Sequence, residues 1–314
     1  MAKKWQSYDD QIKLLKDRGM RIDNTESARD FLSQINYYRF SGYFRHWQKN
    51  PKGGDDGFLE GTTFETIRAL YEVEQEFLSI CDKMLRSVEI LLRTRFAYAY
   101  GKCVEEGKKR GKFAYGDGFD EDPQRYNKPI PQFILGGLNR SDEEFVAHYR
   151  DEIKKGKKYK PEAYNRMPVW VAIEVFTFGS LSRFIRASES SGVLAHIEKS
   201  LGMERKCLPG RVEAFANLRN QIAHRDQLWN RRVFEAPSSP QNIEGEYREY
   251  SNDSIYSTLV MLDEVATAAG ISKAWLADTI EPFLNKHPLL AQGITKPAEY
   301  GQVSITILGN QFFT

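Results

Sequence analysis

One short stretch near the middle of the chain combines an arginine, an asparagine and a histidine at a spacing that could carry chemistry. Arg219 is followed directly by Asn220, and His224 comes five residues after the arginine. Arginine stays protonated near neutral pH and offers a fixed cation to a phosphate group. Histidine, whose unperturbed pKa lies near neutrality, can give or take a proton. Together these groups could help an RNA 2′-hydroxyl attack its own phosphate without a metal ion.

The asparagine gives this pattern most of its specificity. An arginine with a histidine a few residues later is expected by chance roughly once in a chain of this length. Arg39 and His46 are such a match, but Phe40 rather than a polar residue follows that arginine. The competing interpretation of Arg219 and His224 is structural, with an arginine on a helix surface and a histidine that binds backbone carbonyls at a helix end. The pattern alone leaves both open.

Three longer segments match a known family in its order. They are Ile35–Tyr43, Met167–Ser182 and Leu218–Arg231, with a weaker fourth match at Ser87–Thr94. On these segments the chain resembles HEPN ribonucleases and, within them, the abortive-infection (Abi) family related to AbiD and AbiF. The resemblance spans residues 35 to 231. The stretch near residues 102–165 matches nothing in the family.

This resemblance implies an all-α, HEPN-like helical bundle with additional N- and C-terminal helices and a basic insert. It also implies a metal-independent endoribonuclease that acts as a toxin in antiphage defence and leaves a 2′,3′-cyclic phosphate. Arg219 would hold the scissile phosphate, His224 would be general base or acid, and Asn220 would orient the histidine or the phosphate. Arg225 and Arg231 are secondary candidates for contacts with the RNA backbone.

The geometry of the motif indicates that a second copy of the motif is needed for catalysis. Positions 219 and 224 differ by about 140° on an ideal helix, so the two side chains do not share a face unless the arginine reaches around or the helix distorts. One histidine cannot easily serve both the attacking and the leaving oxygen. HEPN ribonucleases, as the resemblance implies, pair two motifs across a two-fold axis. We therefore expect a homodimer that has RNA as its substrate. The resemblance also implies a small structured RNA as a partner, so a bound RNA could be inhibitor rather than substrate.

Composition narrows the classes of protein. With 41% hydrophobic and 28% charged residues the chain is typical of folded globular proteins rather than disordered ones. The net charge is only +2, so affinity for RNA would need local clusters of cations. Three widely spaced cysteines favour a reducing, cytoplasmic location. No apolar run approaches the ~20 residues that span a bilayer, and the five scattered histidines show no metal-ligand spacing, so we expect no membrane association, cofactor or metal.

Apolar periodicity predicts a helical organisation. A helical N-terminal segment (1–50) precedes an HEPN-like core (62–100 and 166–286), a basic insert (101–165) interrupts that core, and a tail (287–314) follows it. Within these parts the sequence predicts helices over 8–19 and 26–36, a turn-rich linker at 50–61, and a long helix to about residue 100 opened by a Thr62–Glu65 capping box. It also predicts a deeply buried helix after Pro168, closing helices over 254–268 and 273–285, and a short strand at 303–308.

Two basic runs mark the insert, with aromatic residues among them. Their candidate RNA-binding residues are Lys108, Lys109, Arg110, Lys112, Lys154, Lys155, Lys157 and Lys158. Cations with planar rings suit the phosphates and bases of a single strand. The alternative is a solvated charged loop, the commoner meaning of such runs.

Two further groups of residues each have two possible roles. Glu89 and Arg93 lie four residues apart and could form a surface ion pair or brace the site. The polar ends of Asn36–Arg39 and Tyr43 could belong to the core, or approach RNA or the active centre. For the whole protein, the alternatives to an enzyme are a non-catalytic RNA-binding protein of the same fold and a helical scaffold for a partner protein. Cleavage in EDTA separates the enzyme from both.

Overall fold

The computed structural model describes residues 4–107, 119–120, 129–203, 207–233 and 248–301. These residues are mostly helical, with two small antiparallel hairpins, so the predicted all-α class is confirmed. The basic run at 108–112 and the strand predicted at 303–308 lie outside the described residues. Nowhere in the described ranges is a helix both long enough and apolar enough to cross a membrane.

The elements follow one another in this order: α1 (Tyr8–Asp17), α2 (Thr25–Gln34), α3 (Tyr37–Phe44), β1 (Gln48–Asn50), β2 (Asp55–Phe58), α4 (Phe64–Glu105), α5 (Ile130–Arg140), α6 (Glu144–Tyr149), β3 (Lys154–Lys155), β4 (Lys158–Tyr159), α7 (Val169–Ala172), α8 (Phe178–Arg186), α9 (Val193–Ser200), α10 (Leu208–Ala223), α11 (Ile255–Ala268), α12 (Glu281–Lys286) and α13 (Pro288–Thr295). Short 3₁₀ turns occupy Arg45–Trp47, Pro161–Tyr164 and Ile173–Val175, and a π-helical turn at Leu276–Ile280 leads into α12. The strands pair as β1 with β2 and β3 with β4.

The chain divides into two compact units. The first unit contains residues 1–81, 221–260 and 276–314, and the second contains 82–220 and 261–275. The boundaries fall within α4, α10 and α11, so these helices contribute residues to both units.

Local sequence explains where several helices begin. The Ser7 hydroxyl accepts the Asp10 N–H at 3.2 Å, and the Asp10 carboxylate accepts the Ser7 N–H at 3.2 Å, which caps α1 reciprocally. The capping box predicted at Thr62 is wrong by one residue. The hydroxyl of Thr63 accepts the Thr66 N–H at 3.1 Å, and the carboxylate of Glu65 accepts the Asp23 N–H at 3.1 Å.

Aromatic side chains form much of the core of the first unit. Phe31 contacts Phe40, Phe64 and Tyr71 edge-on, with ring centroids 5.1 to 5.7 Å apart. Edge-on pairs of this kind add to the free energy gained by burying the rings. Trp229 is 1% exposed and stacks on Trp47 at 5.2 Å, so the chain after α10 is packed into this core.

Glu74 is a fully buried carboxylate on α4 within the first unit. It accepts the backbone N–H groups of Leu228 at 2.8 Å and Trp229 at 2.5 Å, and the hydroxyl of Tyr43 donates to it. Burial raises the pKa of Glu74 to about 7, although these three hydrogen bonds oppose the rise. Burial and the adjacent carboxylate raise the pKa of Tyr43, which keeps its hydroxyl protonated and able to donate. The carboxylate thus fixes the loop after α10 to α4.

The core of the second unit surrounds α8. Phe184 contacts other aromatic residues at centroid distances of 4.9 to 6.3 Å, namely Phe96, Phe119, Phe133 and Phe176. The deeply buried helix predicted after Pro168 is instead a four-residue helix, α7, followed by a 3₁₀ turn, and Trp170 on it is 62% exposed. The segment predicted as a turn-rich linker at 50–61 contains the turn of the β1–β2 hairpin, but also the whole of strand β2.

The buried carboxylate predicts a pH dependence of stability. An ordinary Glu has a pKa of 4.5, so between that value and about 7 the folded protein holds a proton that the unfolded chain has released. The contribution of Glu74 to the free energy of unfolding therefore falls as the pH rises through this window. Glu74→Gln should remove the fall, because glutamine can still accept both N–H groups. Its free energy of unfolding relative to the wild type should rise across the window by at most about 3 kcal/mol.

Urea unfolding at several pH values from about 4.5 to about 8 measures this difference. Glu72→Gln, at an exposed position of the same helix where Glu72 pairs with Arg68, is the matched control, and the rise should be larger for Glu74→Gln than for this variant. A flat difference for Glu74→Gln would mean that the buried carboxyl does not titrate as described.

Candidate functional site

The boundary between the two units falls inside the predicted motif. Arg219 and Asn220 occupy the last turn of α10 and belong to the second unit, whereas His224 follows the end of the helix and belongs to the first. Along α10 the buried positions recur every three or four residues, at Val212, Phe215, Leu218 and Ile222. The spacing leaves Asn220 exposed and Arg219 partly exposed.

The helix that carries the motif ends in a hydrogen-bonded cap in which His224 is the C-cap residue. The Arg225 N–H donates to the Ile222 carbonyl at 2.9 Å, and the Asp226 N–H donates to the Gln221 carbonyl at 2.8 Å. This is a Schellman motif, which requires a left-handed residue after the C-cap. Arg225 supplies it with a φ of 54°. Because arginine has a Cβ atom, this conformation costs about 1–2 kcal/mol that glycine would avoid.

Arg39 of α3 binds the carbonyl groups at this helix end. Its guanidinium donates to the carbonyl of His224 at 3.5 Å and also to that of Arg225. The cation lies where the negative end of the helix dipole is concentrated, so it stabilises the cap. Sequence reasoning treated Arg39 as half of a chance match and left its role open. The structure places it in contact with the motif.

The imidazole of His224 takes no part in these backbone interactions. His224 is exposed, and within the described residues its ring makes no hydrogen bond. The structural alternative gave the helix-end carbonyls to the histidine, but Arg39 binds them instead. The backbone at His224 is therefore fixed while the ring remains accessible to a ligand.

The loop that follows His224 is fixed at several points in the first unit. Besides the bonds to Glu74, the Trp229 indole donates to the Leu289 carbonyl at 2.8 Å. Asn230 has a left-handed φ of 58°, and its side chain lies 3.2 Å from the Nδ1 atom of His46. Burial lowers the pKa of His46 to about 4, which marks His46 as a neutral core residue.

Arg219 is held by an acidic residue of α4 in the second unit. Its Nε atom lies 3.5 Å from a carboxylate oxygen of Glu89, and the other oxygen of Glu89 accepts a 2.8 Å hydrogen bond from Arg93. The side chains of Glu89 and Arg93 are 12% and 10% exposed. The ion pair considered from the sequence is therefore present, but it is largely buried rather than on the surface. Glu89 also contacts Arg219, so it bridges two arginines.

Arg93 joins this bridge to the segment around α7. Its guanidinium donates to the carbonyl of Phe176 at 2.8 Å and to that of Ile173. These carbonyls lie at the end of the helical turns after Pro168. That of Ile173 also accepts the Phe176 N–H at 3.3 Å, so Arg93 reinforces the end of this 3₁₀ turn. Glu89 and Arg93 thus connect, within the second unit, residues of three segments that match the family, namely Ser87–Thr94, Met167–Ser182 and the start of Leu218–Arg231.

The other predicted RNA-binding residues lie in different places. Arg225 is exposed beside His224, and Arg231 pairs with Asp226 at 3.6 Å, both in the first unit. In the β3–β4 hairpin of the second unit, Lys155, Lys157 and Lys158 are exposed. Lys154 pairs with Glu152 at 2.6 Å, which neutralises part of the charge of this hairpin.

Lys108, Lys109, Arg110 and Lys112 lie outside the described residues. Within the described ranges, no group of three or more His, Cys, Asp or Glu side chains is arranged to hold a metal ion.

Sequence reasoning missed Glu74, although a signal for it was present. Its neighbours at helical spacing on α4 are Leu70, Tyr71, Phe77 and Leu78, all buried. An acidic residue in the buried register of a helix must find hydrogen-bond donors, because burying an unpaired carboxylate is costly. The pattern therefore predicts a buried carboxylate with partners, but not that those partners are the backbone of the loop after His224.

Comparison with known proteins identifies the family of the chain. A family model described as Abi-like protein matches residues 30–230, most of the chain. No match was found among curated proteins or among solved structures. The matched range includes Arg39, Glu74, Glu89, Arg93 and the whole Arg219–His224 stretch. The chain belongs to the Abi-like protein family, which points to a role in abortive infection.

Proposed function

We propose that this protein is a metal-independent HEPN endoribonuclease, of the type related to AbiD and AbiF, that acts as a toxin in abortive-infection defence against phage. The observation that carries the proposal is the state of His224. Its backbone is fixed by the helix cap and by Arg39, while its ring is exposed and makes no hydrogen bond within the described residues. Catalysis favours such an arrangement, because a positioned group that transfers a proton must be both rigid and accessible.

The reaction would be an in-line transesterification. A histidine accepts the proton of the RNA 2′-hydroxyl, the 2′-oxygen bonds to the adjacent phosphorus, and the bond from phosphorus to the 5′-oxygen breaks. A second acid gives the leaving oxygen its proton. The products are a 2′,3′-cyclic phosphate and a 5′-hydroxyl, so protons and electrons balance without a metal or a redox partner.

Arg219 is suited to hold the phosphate. Glu89 contacts its Nε atom, on the inner edge of the guanidinium, which leaves the two terminal nitrogens for a bidentate contact with phosphate oxygens. Asn220, exposed on the next position of α10, would orient the phosphate or the histidine by hydrogen bonding. Arg225 and Arg231 would contact neighbouring phosphates of the RNA backbone.

The proposal includes a two-fold homodimer in which two motifs form one cleft. The reaction needs two proton-transfer positions, and each chain supplies one His224. A second histidine from another copy would complete the set, and closed two-fold dimers are the commonest oligomers of soluble proteins.

A non-catalytic RNA-binding protein is the second candidate function. The Arg219–Glu89 ion pair favours it, because an arginine whose charge is already partly compensated stabilises the negative charge of a transition state less than a free arginine does. In this alternative the same residues would bind a structured RNA, and no cleavage would occur in EDTA.

The first test is substitution of the motif. His224→Ala should lower the rate of RNA cleavage in EDTA by about 10²- to 10⁴-fold, as removal of a general acid or base does. Arg219→Ala should be similarly inactive, and Asn220→Ala should lose less activity. Expression of the wild type should slow growth, whereas expression of His224→Ala should not. His148→Ala, at an exposed histidine of α6, is the matched control. Unreduced cleavage by purified His224→Ala would rule out this active site.

The second test concerns the brace. Glu89→Gln keeps an acceptor for Arg93 but removes the charge that holds Arg219, so kcat should fall by about tenfold, equivalent to ~1.4 kcal/mol, with KM changed less. Asp82→Asn breaks an exposed pair with Arg86 at the same spacing on α4 and serves as the control. It should leave kcat unaltered. A loss of stability in Glu89→Gln with an unchanged kcat would make Glu89 structural only.

The third test concerns the dimer. A mixed dimer that joins a wild-type chain to one carrying both Arg219→Ala and His224→Ala should lose most activity, because each cleavage draws on both motifs. Differently tagged chains, purified through both tags, provide this species. If the mixed dimer retains half of the wild-type rate, each chain works alone and the composite cleft is wrong.

A further inference from the structure

The first unit has a pocket of about 300 Å³ beside the end of α10. The polar and aromatic side chains that line it include Arg39, Arg45, Tyr38, Tyr300, Asp226 and Gln227. The volume is at the lower end of the range for small-molecule sites, so the pocket suits one planar ring and the few atoms attached to it better than a peptide helix.

The pocket adjoins His224 both along the chain and through Arg39. Asp226 and Gln227 are the second and third residues after His224, and an extended chain advances at most ~3.6 Å per residue, so the Cα atom of Asp226 lies within about 7 Å of that of His224. Arg39 lines the pocket and also donates to the His224 carbonyl. A ligand bound in this pocket would therefore be separated from His224 by no more than about the length of one nucleotide.

Of the tyrosines that line the pocket, Tyr38 and Tyr300 have exposed surface. Tyr38 is 85% exposed, so most of its ring surface is open to a ligand. Tyr300 is partly exposed, and the guanidinium of Arg45 lies 5.4 Å and the ammonium of Lys52 lies 5.8 Å from its ring centroid. Cations clustered with an accessible aromatic ring are the combination that binds the phosphates and bases of a single strand.

The other side of the pocket offers polar groups with a fixed direction. The Gln227 amide donates to the Trp229 carbonyl at 3.0 Å, and its oxygen packs so closely on Gly42 that a Cβ atom there would lie 2.6 Å from it. The Asp226 carboxylate is turned towards Arg231 at 3.6 Å. An amide held in one orientation can distinguish hydrogen-bonding edges, which a mobile one does poorly.

We propose that this pocket binds one nucleotide of a single-stranded RNA, next to the bond that is cleaved. The base stacks on Tyr38, Arg45 contacts a phosphate, and Gln227 bonds the edge of the base. A single strand is favoured over a duplex because only unpaired bases expose a face for stacking. The inference rests on the proposed ribonuclease function, because that function supplies the RNA.

Binding is tested with a labelled single-stranded RNA of mixed sequence, in a His224→Ala background that prevents turnover. Adding Tyr38→Ala should weaken binding by about tenfold or more, as the loss of one base–aromatic stack does. Tyr38→Phe keeps the ring and should bind as the parent does. Tyr98→Ala removes another highly exposed tyrosine, at 74% exposure on α4, and should also bind as the parent does. Arg45→Gln should reduce the log–log salt slope by about 0.7, and Arg86→Gln should not.

Photocrosslinking gives a readout that does not depend on activity. RNA carrying 5-iodouridine should yield, after irradiation and peptide mass spectrometry, adducts on Tyr38 or Tyr300. A mononucleotide that competes as well as RNA of equal nucleotide concentration would identify a free nucleotide as the ligand and overturn the proposal. Parental affinity and salt slope in both Tyr38→Ala and Arg45→Gln would also overturn it.

The results separate this inference from the function on which it rests. If Tyr38→Ala and Arg45→Gln cleave RNA as the wild type does, the role proposed for the pocket is wrong and the ribonuclease function stands. If RNA binding depends on Tyr38 and Arg45 but the wild type cleaves no RNA, the pocket binds RNA and the ribonuclease function is wrong.

Discussion

The histidine of the motif is held in place by a constraint on the chain around it. An arginine in the left-handed conformation directly after the C-cap is unfavourable by itself, and the loop beyond it has no regular structure. Arg39 binds the exposed carbonyls of the cap, and the buried Glu74 carboxylate binds two N–H groups of the loop four and five residues further on. Because a buried carboxylate is stabilised only by donors close to it, the loop cannot leave Glu74 without a large cost. The exposed imidazole is therefore displayed from a rigid backbone.

The arginine of the motif depends on a second acidic residue of the same long helix. Glu89 binds Arg219 on one side and Arg93 on the other, and Arg93 in turn binds carbonyls at the end of the α7 segment. Removing Glu89 would take away the closer carboxylate partner of Arg93, which is 8% exposed, and leave the more exposed Glu174 at 3.9 Å. Breaking a largely buried pair in this way costs more than breaking an exposed one. The family segments thus correspond to two sets of contacts, one around each half of the motif.

Much of the fold could be predicted from the sequence, because helical periodicity is a local property. The long α4 helix, the N-terminal helices and the helix that carries Arg219 all follow apolar spacing. Helix α5 was missed, since Gly136 and Gly137 lower helix propensity. Gly137 is needed there because a Cβ atom would lie 2.5 Å from the ring of Phe176, a contact that no local pattern reveals.

Predictions about the site were limited in the same way. The motif residues, the Ser87–Thr94 match and the Asn36–Tyr43 segment were all identified from the sequence. The roles of Arg39, Glu74 and Glu89 depend on partners 130 to 186 positions away, and one sequence contains no information on such pairs. The exposure of Trp170 likewise depends on tertiary packing, since an apolar run by itself predicts burial.

Cleavage of RNA by transesterification at the Arg219–His224 motif is the function that we propose. The most direct measurement is mass spectrometry of the fragments that the purified wild-type protein produces from a defined RNA in EDTA. We predict fragments that end in a 2′,3′-cyclic phosphate and begin with a 5′-hydroxyl. Fragments with 3′-hydroxyl and 5′-phosphate ends, or an RNA that stays intact until a divalent metal is added, would contradict it.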